Sequence, residues 1–128
     1  MGKIYIVRGV PGSGKSTIAN EMTTCGMADI HAEADMFMLD DNGDCKFDPK
    51  NLSYAHGQCK NRIRDAMAAG VNAVVSNTFV RHWEYQEYIK MAEEYGYDYT
   101  VLVCSGNFKN EHGVPDCKVE EMKRRFEF

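Results

Sequence analysis

The stretch Gly9-Val10-Pro11-Gly12-Ser13-Gly14-Lys15-Ser16 decides the fold, with Ile4-Tyr5-Ile6-Val7 before it and Thr17-Ile18-Ala19 after it. It fits G-x-x-x-x-G-K-S at every fixed position, and it stands between an apolar, β-forming run and a helix-forming segment. Glycines let a backbone turn with positive φ and approach an anion with no Cβ in the way. Successive N–H groups then converge on that anion, and a helix starting at Lys15 adds the positive end of its dipole. Gly9, Pro11, Gly12, Ser13, Gly14, Lys15, Ser16 and Thr17 are therefore the candidate nucleotide-binding residues. Lys15 supplies a mobile charge for the β- and γ-phosphates, the Ser16 hydroxyl is the candidate Mg²⁺ ligand, and Thr17 strengthens the polar start of the helix. ATP (or GTP) with Mg²⁺ is the expected ligand pair. The alternative, an accidental Gly-rich turn, is disfavoured by the strand–turn–helix context.

Strand and helix patterns alternate away from this turn. Residues 3–8 read as a buried strand, and Lys15 to about Cys25 as a helix with Ile18, Met22 and Cys25 on one face and Gly26 beyond its end. A weaker strand is expected within 27–34, ending near Asp35, followed by a loop over 39–51. Ala55, Cys59, Ile63 and Met67 repeat every four residues through a helix over 52–69 that Gly70 stops. Val71–Ser76 reads as a third strand, His82–Tyr95 as a third helix with Tyr85, Tyr88, Ile89 and Ala92 inward and Gly96 at its end, and Tyr97–Cys104 as a fourth strand. A loop over 105–117 and a short charged helix over Val119–Phe128 complete the chain. Strands alternating with helices imply right-handed crossovers and a parallel sheet covered on both faces. The expected fold is an α/β three-layer sandwich with a mostly parallel sheet of four to five strands.

The 128 residues suit one domain with one core, and 44% hydrophobic with 27% charged residues is globular composition. Fifteen Lys and Arg against 19 Asp and Glu leave a net charge of −4, which disfavours a globally basic nucleic-acid binder but not a local basic groove. No apolar run approaches the ~20 residues of a membrane span. The sequence begins with strand-like Lys3 to Val7 and shows no export signal, so a cytoplasmic location is expected. Cysteines at 25, 45, 59, 104 and 117 are odd in number and never spaced C-x-x-C, so reduced thiols are expected, with Cys25, Cys59 and Cys104 as packing residues. Asp40, Asp41, Asn42 and Asp44 resemble half a calcium loop, but Asn51 stands where the bidentate Glu is required, so a solvated turn is expected. No two histidines stand at i, i+4; His56 reads as a surface or capped residue, His82 as structural and His112 as shaping its turn, and Trp83 as a packing anchor rather than a base-stacking platform.

Asp35 falls where the second strand should end, on the side of a parallel sheet where crevice sites form. A carboxylate there can accept the proton of a hydroxyl attacking the γ-phosphate; on spacing alone it reads equally well as a turn or helix cap. Several segments then occur in one order: Val7 to Thr17, Ala34-Asp35-Met36-Phe37, Lys46-Phe47-Asp48-Pro49, Ala55-His56, Asn77-Thr78, Trp83-Glu84, Ala92 to Tyr97 and Asn110-Glu111-His112-Gly113-Val114-Pro115. Together they resemble the P-loop kinases that include the 5′-hydroxyl kinase domain of phage polynucleotide kinase and its small AAA-domain, zeta-toxin-related relatives.

The resemblance spans nearly the whole chain. It implies one P-loop kinase-like domain over residues 1–128, with a short lid near 105–117. It implies an ATP-dependent kinase that transfers the γ-phosphoryl group to a hydroxyl, in first place a nucleic acid 5′-hydroxyl. A nucleoside, nucleotide or other small hydroxyl acceptor, or a catalytically weak nucleotide-binding regulator, is the alternative. Lys15 and Ser16 match the family's phosphate and Mg²⁺ residues, and Asp35 matches its general base. Lys109 falls where relatives carry a lid Arg; it can neutralise charge but not clamp it bidentately. Arg81, Arg124 and Arg125 are spare cations, and Lys60, Arg64, Lys123, Arg124 and Arg125 could support a polynucleotide. Two departures stand out. The third strand ends Ser76-Asn77-Thr78 with no carboxylate, where relatives carry an Asp that orients the Mg²⁺ shell or acceptor. Only Ser105 to Lys109 separates the fourth strand from the lid motif, so the lid is short.

Overall fold

The structure, a computed structural model, describes residues 2–10, 13–34, 52–79, 81–104, 122 and 124–126, with the backbone alone at 52 and 53. The elements are β1 (Lys3–Arg8), α1 (Lys15–Thr24), β2 (Ile30–Ala32), α2 (Leu52–Ala69), β3 (Ala73–Asn77), a 3₁₀ turn (His82–Tyr85), α3 (Gln86–Tyr95) and β4 (Asp98–Val103). The strands form one sheet in the order β2-β3-β1-β4, and every pairing in it is parallel.

Strand alternation sorts the side chains into two cores. Ile4, Ile6, Ala73 and Val75 point to one face, where Cys59, Ile63, Ala66 and Met67 of α2 and Tyr88, Met91 and Ala92 of α3 cover them. Tyr5, Val7 and Val74 point to the other, against Ala19 and Met22 of α1. The handedness of parallel crossovers explains this division. The step from β1 to β2 runs one way along the sheet and the steps from β2 to β3 and from β3 to β4 run the other way, so α1 lies on the face opposite α2 and α3. Fully buried side chains such as Ile4, Ile6 and Ile63 each contribute about 1.5–3 kcal/mol.

The helices on the larger core end as their glycines predict. Gly70 (φ 76°) and Gly96 (φ 69°) turn left-handed, and the next residues close the caps through Val71 N–H to the Ala66 carbonyl (3.1 Å) and Tyr97 N–H to the Ala92 carbonyl (2.7 Å). This explains why β3 begins at Ala73 rather than Val71: the Val71 N–H belongs to the cap of α2.

Three expectations need correction. Ile18 and Cys25 are exposed, because the inward positions of α1 are Lys15, Ala19 and Met22; the turn before the helix sets its phase. Trp83 is 72% exposed and is no packing anchor. Tyr85 and Tyr88 take the inward face instead and meet the Phe79 ring edge-on at 5.8 and 5.6 Å. The third helix also opens as a 3₁₀ turn, with Glu84 N–H bonded to the Arg81 carbonyl at 3.1 Å. The 39–51 loop, the 105–117 lid and most of the 119–128 helix lie outside the described residues, although Met122, Arg124 and Arg125 are helical. Among the described residues, no helix is long and apolar enough to cross a membrane.

Candidate nucleotide and metal site

The C-terminal ends of the parallel strands share one edge of the sheet. The connections leaving β1 and β3, which are neighbours, go to opposite faces, and such a parting opens a crevice. The chain after β1 is fixed on both sides of it. Gly9 N–H donates to the Thr78 carbonyl beyond β3 at 3.2 Å, and Cys104 N–H beyond β4 donates to the Arg8 carbonyl at 2.8 Å. A Cβ on Gly9 would lie 2.8 Å from the Cys104 carbonyl and would overlap the Ser13 side chain, so no larger residue fits there. Ser13 N–H closes the turn on the Val10 carbonyl (3.1 Å), and Gly14 at φ 91° leads into α1.

Gly14 caps α1 without a side chain, so the first N–H groups of the helix receive no side-chain acceptor. The Ser13 hydroxyl is buried and hydrogen-bonded to no described group. Lys15, only 4% exposed, brings its ammonium into the same region, near enough to Cys104 to pull against the burial that pushes that thiol up. An uncapped helix start, an orphaned buried hydroxyl and a buried ammonium together suit an anion with several oxygens.

A buried carboxylate follows β2. Glu33, one residue beyond β2, is 6% exposed. Ser76 at the end of β3 donates its hydroxyl to Glu33 Oε1 at 2.5 Å. His31 Nε2 lies 3.1 Å from the same oxygen and 3.1 Å from Ser76 Oγ. An ionised carboxylate only accepts, so Nε2 carries the hydrogen. The Ser16 hydroxyl also favours the ionised form of this carboxylate. Burial alone would raise the Glu33 carboxyl, but His31, Ser76 and Ser16 outweigh it and hold the group at about 2. Backbone anchors fix the arrangement. Asn77 Oδ1 accepts from Ala34 N–H at 2.8 Å, Asn77 Nδ2 donates to Cys59 Sγ at 3.6 Å, and Arg62 Nε donates to the His31 carbonyl at 2.8 Å. Hydroxyl oxygens are hard donors of the kind Mg²⁺ takes, so the Ser16 hydroxyl fits that ion. No cluster of three or more His, Cys, Asp or Glu side chains exists among the described residues.

Arg8 secures the floor of the turn. Fully buried, it donates from Nε (3.0 Å) and Nη2 (2.7 Å) to the carbonyl of Phe79, whose φ of 43° is left-handed. Its guanidinium carbon sits 4.9 Å from the Tyr85 ring centroid and 4.4 Å from that of Phe126.

The structure therefore brings Gly9, Ser13, Gly14, Lys15 and Ser16 together, with Thr17 on the exposed side of α1. Pro11, Gly12, Asp35 and Lys109 lie outside the described residues. Arg124 and Arg125 are exposed, Arg81 is half-buried, and Lys60 is engaged with Glu87 at 2.8 Å. Ser76 and Asn77, at the end of β3, hydrogen-bond Glu33 and Ala34. His31 and Glu33 belong to no motif and escape a motif-based reading. Their signal is periodicity: two polar side chains at i, i+2 share one face of an otherwise apolar strand end.

A parallel sheet with a glycine-rich anion turn after an inner strand defines a P-loop domain with the fold of the P-loop kinases. Residues 4–108 match the family model described as "AAA domain", and the chain belongs to that family. Human NEDD4-binding protein 2 is 28% identical over 95 residues, which span 73% of this chain and 5% of that protein. The Pnkp1/Rnl/Hen1 RNA repair complex contains a chain that matches 99% of this one over 47% of its own length, with TM-score 0.65 and 20% identity. A gluconokinase from Sinorhizobium meliloti 1021 matches 99% of this chain over 75% of its own, with TM-score 0.57 and 16% identity. The chain thus spans less than half of the RNA repair protein and about a twentieth of the human one.

Proposed function

We propose that the protein is an ATP-dependent phosphotransferase that moves the γ-phosphoryl group to a hydroxyl, in first place the 5′-hydroxyl of a nucleic acid. The observation that carries this reading is the buried Ser13 hydroxyl with no described partner, beside buried Lys15 and the uncapped start of α1. Main-chain N–H groups of the turn and the Ser13 hydroxyl would hold phosphate oxygens, and Lys15 would balance the charge of the β- and γ-phosphates. The Ser16 hydroxyl would hold Mg²⁺, which would supply positive charge against that of the phosphates. Asp35 would take the proton of the acceptor hydroxyl as its oxygen bonds to the γ-phosphorus and the bond to the β-phosphate oxygen breaks, releasing ADP. Lys109 would neutralise charge from above the phosphates. The whole domain, residues 1–128, would act as one unit, with 105–117 as its lid.

The nucleic-acid acceptor is supported by the sequence resemblance and by the fold shared with a chain of an RNA repair complex. A small hydroxyl acceptor is the second reading. The net charge of −4, the capture of Lys60 by Glu87 and the fold shared with a gluconokinase favour it. Transfer of radiolabelled γ-phosphate from ATP to oligonucleotides with free 5′-hydroxyls, nucleosides and small sugars decides between them. Labelled oligonucleotide, with label lost in Asp35→Asn, is the expected result. Full transfer by Asp35→Asn would overturn the assignment of the base, and label on the small acceptors alone would overturn the polynucleotide acceptor.

A further inference from the structure

We propose that the C-terminal segment braces the phosphate turn: Phe126, with Met122, holds the residues on either side of Gly9 in the shape that takes a nucleotide. This rests on the reading of the β1–α1 turn as a nucleotide site and deepens it by naming what positions that turn. Phe126 meets the turn at two residues. Its ring centroid lies 4.4 Å from the guanidinium carbon of Arg8, and together with Met122 it packs against Val10. Arg8 and Val10 stand at i, i+2 around Gly9, so one side chain bridges the glycine. Val10 joins neither of the two sheet cores, yet it is only 9% exposed; among the described residues the apolar side chains packed on it are Met122 and Phe126.

A glycine-rich turn can take many backbone shapes, and few of them direct its N–H groups at one anion. Among the described residues of this turn, Val10 carries the one apolar side chain, so it is where packing can select the shape. The main chain passes that selection on. The Val10 carbonyl accepts the Ser13 N–H at 3.1 Å, and Ser13 carries the buried hydroxyl with no described partner. Gly9 itself offers no handle, since a Cβ there would lie 2.8 Å from the Cys104 carbonyl. Arg8 is already tied to the chain beyond β3 through the Phe79 carbonyl and the Tyr85 ring, and Phe126 adds the C-terminal segment to that anchor. Undocking the brace lowers the fraction of molecules whose turn can take a nucleotide, and the apparent Kd rises in proportion. The coupling is reciprocal: a nucleotide that binds the braced shape must also favour docking of the C-terminal segment. Phe126 is thus a positioning residue that acts through Arg8 and Val10.

The test reads the coupling in both directions. ADP affinity is measured by calorimetry on the full chain, and hydrogen exchange of residues 119–128 by mass spectrometry with and without ADP. In the wild type, ADP should slow that exchange about five-fold or more. Phe126→Leu, which keeps apolar bulk but no ring over Arg8, should weaken ADP about five- to ten-fold with helix content retained, and should remove most of the slowing. Phe126→Tyr, which keeps the ring, should bind ADP within about two-fold of the wild type. If Phe126→Leu does not fold, Met122→Ala, which uncovers Val10 from the same segment, should weaken ADP about three-fold or more. Unchanged ADP affinity in a folded variant overturns the proposal even where less urea unfolds it, because the segment would then only stabilise the fold. Exchange over 119–128 that ignores ADP in the wild type overturns it too, as does a Phe126→Tyr protein that binds ADP no better than Phe126→Leu. A wild-type protein that binds no ADP overturns instead the nucleotide reading beneath it.

Discussion

Acid should weaken the ligand-free protein through Glu33, by an amount that follows from its surroundings. Its carboxyl titrates near pH 2 in the fold against an ordinary value of 4.5. Because the folded value is depressed, the unfolded chain takes up the proton first as pH falls. The stability this carboxylate contributes is complete above about pH 5 and drains away as pH drops from roughly 4.5 toward 2. The gap is equivalent to about 3 kcal/mol at neutral pH, of which about 2 kcal/mol is gone by pH 3. Solvent screening does little to reduce this, since Glu33 is 6% exposed. Urea unfolding followed by far-ultraviolet circular dichroism measures it; Trp83 is too exposed to report unfolding by fluorescence. Other carboxylates titrate too, so the informative quantity is the stability of the wild type minus that of Glu33→Gln. That difference should shrink by about 2 kcal/mol between about pH 7 and pH 3. A difference independent of pH would refute the reasoning, because the charge of Glu33 would then not be what its hydrogen bonds stabilise.

Gly9→Ala forces a Cβ to 2.8 Å from the Cys104 carbonyl; ADP affinity by calorimetry should fall about ten-fold or more with helix content retained, and unchanged affinity would show that the turn adapts freely. Arg8→Lys loses the forked contact with the Phe79 carbonyl and the position between Tyr85 and Phe126, and should cost about 2–3 kcal/mol in urea unfolding; a loss below about 0.5 kcal/mol would contradict this. Tyr97→Phe removes the hydroxyl that donates to the Val71 carbonyl at 2.8 Å beside the end of α2, and should cost about 1 kcal/mol by the same assay.

The layered α/β architecture was readable because it depends on patterns that short segments carry whole. The G-x-x-x-x-G-K-S run, the four-residue repeat of Ala55, Cys59, Ile63 and Met67, and the stops at Gly70 and Gly96 each need only local chemistry. What escaped depended on tertiary geometry. Ile18 reads as inward on a helix taken alone, yet the turn that delivers Lys15 and Ser16 rotates α1 so that Ile18 faces out. Trp83 reads as an anchor until Tyr85 and Tyr88 fill the space around Phe79. The site was half legible for the same reason. Its phosphate side is contiguous in sequence, whereas Glu33 and Ser76 are brought together across a gap of 43 residues by the pairing of β2 with β3.

If the turn between β1 and α1 holds the phosphates of a nucleotide, calorimetric titration of Mg²⁺-ATP into the wild type and Lys15→Ala will show it. Saturable binding by the wild type, weakened about ten- to a hundred-fold in Lys15→Ala, is the predicted result. No heat from the wild type, or equal binding by the two proteins, would contradict it.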